Sequence, residues 1–220
     1  MMKLYSGDLS PYSAKVRMQI YAKGIEDIEL APPPGFPQAG FSKVSPIARI
    51  PALDLGDEVI AESEVISEYL EEVYPTPPLL GTSPRERARI RTISRIADIY
   101  VMNNIFMCIP QGRRSTRSEA VRDLLTGQTA RGVRTLEHYL DGSGFAVGGA
   151  LTLADCTLVP ALFLVENVTP TFDVPDPLQE APKVGAYWRQ IQENPLAARV
   201  LVELHRGLEE RQDLMRKAGA

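Results

Sequence analysis

"LSPYSAKVRMQI" (residues 9–20) sets a serine, a proline and a tyrosine directly ahead of a stretch with helical spacing. Proline is favoured at the first position of a helix, where its missing N–H costs nothing. Gly24 stands just past Lys23, where a helix end favours a residue without a side chain. The spacing predicts a helix over 11–23. Upstream, Lys3 to Ser6 reads as a short strand, so the chain begins strand, turn, helix. Ser10 lies at the cap. Its hydroxyl is expected to accept the N–H of Tyr12 or Ser13, a bond of about 1 kcal/mol, with Ser13 a second candidate cap. The same place combines a hydroxyl with free N–H groups at the positive end of a helix dipole, which suits an anion as well as a cap.

Working outward, "IEDIEL" (25–30) alternates apolar and polar residues as a half-buried strand does, and "APPPGFPQAGFSKVSP" (31–46) is too rich in proline and glycine to be regular. "IPALDL" (50–55) and "EVIA" (58–61) read as two strands joined around Gly56-Asp57, and "SEVISEYLEEVY" (63–74) returns to helical spacing through Val65, Ile66, Tyr69, Leu70 and Val73. The order is β-α-β-loop-β-β-α. "PTPPLLGTSP" (75–84) is a proline-rich connector and the clearest boundary in the chain.

A long helix begins at Pro84, with Ser83 and Glu86 in capping-box positions, and runs through Ile90, Ile93, Ile96, Ala97 and Tyr100 toward Met107. A second covers roughly 118–140. "LTLADCTLVPALFLVEN" (151–167) is apolar almost all round and therefore a buried helix; Thr152 and Asp155 close its capping box, a structural role, and Pro160 should kink it or remove a hydrogen bond. Residues 182–194 and 195–217 are amphipathic and start at prolines. Nothing from residue 84 onward reads as strand. The pattern divides the chain into an α/β unit (1–76), a linker (77–83) and an all-helical unit (84–220).

Composition bounds the function class. Hydrophobic residues make up 44% and charged residues 24% of 220, which are ordinary globular values, and no apolar run approaches the roughly 18 residues that span a bilayer. The N-terminus lacks the pattern of a signal peptide, so a cytoplasmic location and no membrane partner are expected. Net charge is −4, which argues against nucleic-acid binding, although eleven arginines fall between Arg85 and Arg134. Cys108 and Cys156 have no metal-ligand or CxxC spacing; two buried thiols and no metal site are expected. His138 and His205 lie in amphipathic helices and do not look catalytic.

Four landmarks, in order along nearly the whole chain, resemble the cytosolic glutathione transferase family of serine type. Ser10-Pro11-Tyr12-Ser13 resembles the CPYC motif of glutaredoxins with serine at each cysteine. Ile50-Pro51 in "ARIPAL" is similar to the family's Val-Pro with its cis proline. Glu62-Ser63 resembles the acidic residue and serine that hold the γ-glutamyl end of glutathione, and "LTLADCTLVPAL" is similar to the capping box and buried helix of the second domain.

The resemblance implies an α/β thioredoxin-like N-terminal domain (βαβ-ββα) followed by an all-α helical domain, with glutathione as co-substrate, a homodimer, and an electrophile pocket between the domains. By the same resemblance, glutathione is bound by Ser10, Arg49, Ile50, Pro51, Glu62 and Ser63, with Lys43 and Phe36 as weaker candidates from the preceding loop. Ser10 would stabilise the thiolate as a hydrogen-bond donor, with Tyr5 and Tyr12 as alternatives; Tyr12, Asn103, Phe106 and Met107 are candidates for the electrophile pocket. Each has a plainer reading as helix cap, solvated charge or core. The implied activity is transfer of glutathione to a small hydrophobic electrophile. Alternatives are glutathione-dependent isomerase or lyase chemistry of the maleylacetoacetate isomerase kind, whose serine-serine-cysteine signature is absent here, and a non-catalytic glutathione-binding or regulatory protein. Thiol-disulfide exchange is disfavoured because neither position 10 nor position 13 is a cysteine.

Overall fold

A computed structural model describes the chain except residues 36–38, 116, 143 and 218–220, and the side chain of residue 39. By its contacts the chain divides into two compact units, Met1–Leu79 together with Ala198–Ala220, and Leu80–Ala197.

The first unit holds β1 (Met2–Tyr5), α1 (Pro11–Lys23), β2 (Ile28–Ala31), β3 (Ala52–Asp54), β4 (Val59–Ala61) and α2 (Ser63–Val73). The sheet order is β2-β1-β3-β4, with β1 parallel to β2 and the other neighbours antiparallel. This is the βαβ-ββα arrangement expected. Leu4, Val16, Ile20, Ile28, Leu53, Ile66 and Leu70 form its core. Helix α1 ends as anticipated: Gly24 is left-handed (φ 63°), with its N–H on Tyr21 O and the Ile25 N–H on Ile20 O, a Schellman pattern. Gly56 (φ 104°) makes the β3–β4 turn, where Leu55 N–H donates to Glu58 O.

One face of α1 is buried without being apolar. Lys15, Gln19 and Lys23 follow at four-residue spacing and meet polar groups of α2 and the chain after it. Lys15 pairs with Glu64; Gln19 donates to Ser67 O (2.9 Å) and Glu71 Oε1 (3.1 Å); Lys23 pairs with Glu71 (2.8 Å) and donates to Tyr74 O and Pro77 O. Buried charges persist only when paired and hydrogen-bonded, and Lys15 and Lys23 are both paired, whereas the Gln19 side-chain oxygen is buried without a hydrogen-bond partner among the described residues.

The second unit holds α3 (Pro84–Ile96), continued through a π-helical stretch at Ala97–Met102 into α4 (Asn103–Cys108), then α5 (Glu119–Tyr139), α6 (Leu153–Asn167) and α7 (Pro182–Ile191). Ser83 caps α3 by accepting the Glu86 N–H (3.1 Å). Glu86 reaches the N–H of Thr82 (2.9 Å) where a reciprocal box would have it bind Ser83. Helix α6 is buried from Leu153 to Val165 and keeps Pro160 inside it. At its start Asp155 accepts from the N–H groups of Ala146 and Thr152, the Thr152 hydroxyl and Tyr187 Oη, at 2.8, 2.8, 2.8 and 3.0 Å. Cys108 and Cys156 are buried and form no disulfide. Among the described residues no helix is long and apolar enough to cross a membrane.

Helix α8 (Pro195–Lys217) starts in the second unit and passes at Ala198 into the first. The division at residues 77–83 assigned all of α8 to the helical unit, whereas by contacts its larger part packs with the α/β unit.

Candidate active site

Register gathers the site. Tyr5 pairs with Ala31, with Ala52 and, through Ala52, with Ala61, so the chain leaving β1, entering β3 and leaving β4 lies at one end of the sheet. Those three segments carry Ser6–Ser10, Arg49–Pro51 and Glu62–Ser63. Continuing the β1–β3 register sets Gly7 opposite Ile50, and a β-carbon on Gly7 would stand 3.1 Å from Ile50 Cδ1.

Ser10 caps α1 with extended backbone (φ −78°, ψ 112°), and its Oγ accepts the Ser13 N–H (3.2 Å). No acceptor for its own proton exists among the described residues. The Ser13 hydroxyl is buried without a partner there. Tyr5 is differently committed: its hydroxyl donates to Asp54 Oδ2 (3.3 Å), and its ring meets Phe41 edge-on. Burial, followed by the charge and hydrogen bond of Asp54, raises its pKa above 10. Tyr12 is half-buried near the start of α1.

The Ile50-Pro51 bond is cis, as the resemblance implies. Pro51 is buried and Ile50 half-buried, and neither the N–H nor the C=O of Ile50 enters a backbone hydrogen bond among the described residues. Arg49 and Lys43 are exposed and make no ion pair among those residues. Phe36 lies outside them.

Glu62 and Ser63 differ from the expected cap. Glu62 occupies the cap position of α2 with φ 69° and ψ 120°, its side chain makes no capping bond, and Ser63 is already the first helical residue and is buried. Positive φ in a residue other than glycine is strained and persists where the surroundings hold it. The first N–H groups of α2 therefore have no side-chain cap, beside an exposed carboxylate.

In the helical unit, Asn103 and Met107 are exposed and Phe106 half-buried on α4. A cavity of about 310 Å³ in this unit is lined by residues of α5 and of the 169–180 segment, and none of the anticipated pocket residues lines it.

Residues 4–78 match the family model described as "Glutathione S-transferase, N-terminal domain", and residues 96–195 the one described as "Glutathione S-transferase, C-terminal domain". The chain belongs to the glutathione S-transferase family. Among relatives of this chain, the maleylacetoacetate isomerase of Pseudomonas aeruginosa is 31% identical over 174 residues, 76% of this chain and 82% of that protein. A stringent starvation protein A homolog of Coxiella burnetii is 31% identical over 171 residues, 76% of this chain and 77% of that protein. The structure of a maleyl pyruvate isomerase, described as a bacterial glutathione S-transferase of Zeta class, superposes with TM-score 0.74 at 26% identity, covering 90% of this chain and 95% of that one.

Sequence reasoning missed two parts of this site. Gly7 carries no motif, and its close approach to Ile50 follows only from strand register. The strained backbone at Glu62 has no signature either, since the usual marker of positive φ is glycine or asparagine.

Proposed function

We propose that this transferase-family chain is a glutathione-dependent enzyme that holds the tripeptide along one end of the first-unit sheet and ionises its thiol at the start of α1. One observation carries the reading: Ser10 already accepts a backbone N–H and has its own proton left to give, whereas the proton of Tyr5 is given to Asp54. A hydroxyl donor at a helix N-terminus stabilises a thiolate over a thiol, and the thiolate is the nucleophile. Ser10 is therefore a donor to sulfur, not a base.

The remaining groups complement the rest of glutathione. The free backbone N–H and C=O of Ile50, before cis Pro51, pair with the cysteinyl unit as an added strand would. The Glu62 carboxylate takes the γ-glutamyl ammonium, and the Ser63 hydroxyl with the uncapped N–H groups of α2 takes its α-carboxylate. Arg49 is the candidate for the glycyl carboxylate. Attack on a small hydrophobic electrophile follows, with Tyr12, Asn103, Phe106 and Met107 as candidate contacts to it. A homodimer in the cytoplasm is part of the same reading.

A second reading, supported by the isomerase relatives, uses the same thiolate differently. It adds to a carbon–carbon double bond, the resulting single bond rotates, and the thiolate leaves, so glutathione is recovered. Calorimetry with glutathione followed by two assays separates these readings. Net consumption of glutathione with an aryl halide supports the transferase; cis–trans conversion of a maleyl compound with glutathione unconsumed supports the isomerase. Absence of glutathione binding would sink both.

A further inference from the structure

Helix α8 presents Glu203, Arg206 and Gly207 at spacings of three and four, hence on one face. All three act on the loop that ends in Ser10. Glu203 accepts from Arg17 Nε (2.7 Å). Arg17 is 3% exposed and turns its other N–H groups to the loop, donating to Ser6 Oγ (2.7 Å), Gly7 O (2.9 Å) and Asp8 O (3.2 Å). Arg206 Nε donates to Asp8 Oδ2 (2.6 Å). At Gly207 the loop backbone lies directly on the helix: a β-carbon there would stand 2.6 Å from Leu9 N and 3.1 Å from Asp8 C. The Gly7 carbonyl held by Arg17 also accepts the Ser10 N–H (3.1 Å). A chain of contacts thus runs from the last helix of the chain to the backbone of Ser10.

From this geometry we infer that the Glu203–Arg206–Gly207 face of α8 is a positioning element for Ser10. It fixes the Ser6–Leu9 loop and, through it, the acidity of the thiol at α1. The inference rests on the reading of Ser10 as donor to glutathione sulfur. A loop shift of well under 1 Å is enough to misalign a donor, because hydrogen bonds and catalytic contacts tolerate little displacement. Only glycine fits at position 207, since any side chain would meet backbone there, which has no rotamer to yield.

The test compares Gly207→Ala, Arg206→Gln and Ser10→Ala with the wild type, reading amide hydrogen exchange over residues 6–13 and the thiol pKa of saturating bound glutathione from thiolate absorbance. Gly207→Ala is expected to speed exchange in that segment by about tenfold, with the central strands unchanged. It is also expected to raise the thiol pKa by about 0.5 unit, roughly threefold less thiolate near neutrality. Arg206→Gln moves both in the same direction by less, and keeps the test open should Gly207→Ala not fold. Wild-type exchange in both α8 variants overturns the positioning role. So does altered exchange with an unmoved thiol pKa while Ser10→Ala moves it. If Ser10→Ala leaves the pKa alone but Gly207→Ala shifts it, the Ser10 assignment fails and with it the positioning of Ser10 by α8, whose hold on the Ser6–Leu9 loop then reaches the thiol by another group.

Discussion

Gly7 and Ile50 face each other across the end of the sheet so closely that a β-carbon on Gly7 would stand 3.1 Å from Ile50 Cδ1. This contact joins the loop carrying Ser10 to the loop carrying cis Pro51. Gly7 is outside the left-handed region, so alanine suits its backbone, and the atom in the way is the end of a flexible side chain. Gly7→Ala is expected to keep stability within about 1 kcal/mol of wild type, because lost unfolded-state freedom offsets the crowding. Ile50 must shift, so glutathione affinity is expected to fall about threefold, roughly 0.7 kcal/mol, by calorimetry.

The buried ladder on α1 predicts unequal costs for chemically similar changes. Glu71 holds Lys23, Gln19 and the Leu79 N–H, and the Lys23 side chain is fully buried. Glu71→Ala strands a buried ammonium and is expected to cost about 3 kcal/mol or more in denaturant unfolding. Glu180, paired with Arg134 at 3.3 Å in solvent, is expected to cost less than about 1 kcal/mol on the same change.

Alkaline pH should unfold the first unit through two tyrosines. Burial, then the hydrogen bond to Glu203, pushes Tyr21 up to about 12; burial, then the hydrogen bond to Asp27, pushes Tyr74 up to about 12. The unfolded chain releases these protons near pH 10 while the folded chain keeps them to about 12, so stability is full below pH 10 and falls between 10 and 12. Urea midpoints at pH 9 and 11 should show this loss, and Tyr21→Phe should lessen it. An equal loss in the variant would reject the assignment.

In the second unit, Asp155→Ala leaves the Ala146 and Thr152 N–H groups and the Tyr187 hydroxyl without their acceptor. Each unmet buried donor costs about 1–3 kcal/mol, so a loss above about 3 kcal/mol is expected. Asp155→Asn retains one accepting oxygen and should lose less; both are read by thermal unfolding.

Much of the fold was legible because local chemistry specified it. Pro11 and Gly24 bound α1, Gly56 turns the hairpin, and the prolines of 75–84 divide the chain. Long-range pairing was not legible. Lys15, Gln19 and Lys23 look in sequence like a solvated helix face, and only the carboxylates Glu64 and Glu71 on α2 turn them inward. Gly207 reads as an ordinary helix interruption until Leu9 is found against it, some two hundred residues away in sequence. The site shows the same division. Ser10 and Ile50-Pro51 carry local signatures, whereas the placement of Glu62, rather than Ser63, at the cap of α2 depends on a backbone conformation that no residue type there announces.

The central claim is that the Ser10 hydroxyl donates a hydrogen bond to the thiolate sulfur of bound glutathione. Its most direct test is the pH titration of thiolate absorbance with glutathione bound to wild type, Ser10→Ala and Tyr5→Phe, the cap loss of about 1 kcal/mol being checked by unfolding. The account predicts a wild-type thiol titrating below the about 8.5 of a free thiol, a rise toward that value in Ser10→Ala, and a wild-type curve in Tyr5→Phe. A thiol that titrates alike in wild type and Ser10→Ala, or that moves only in Tyr5→Phe, would contradict it.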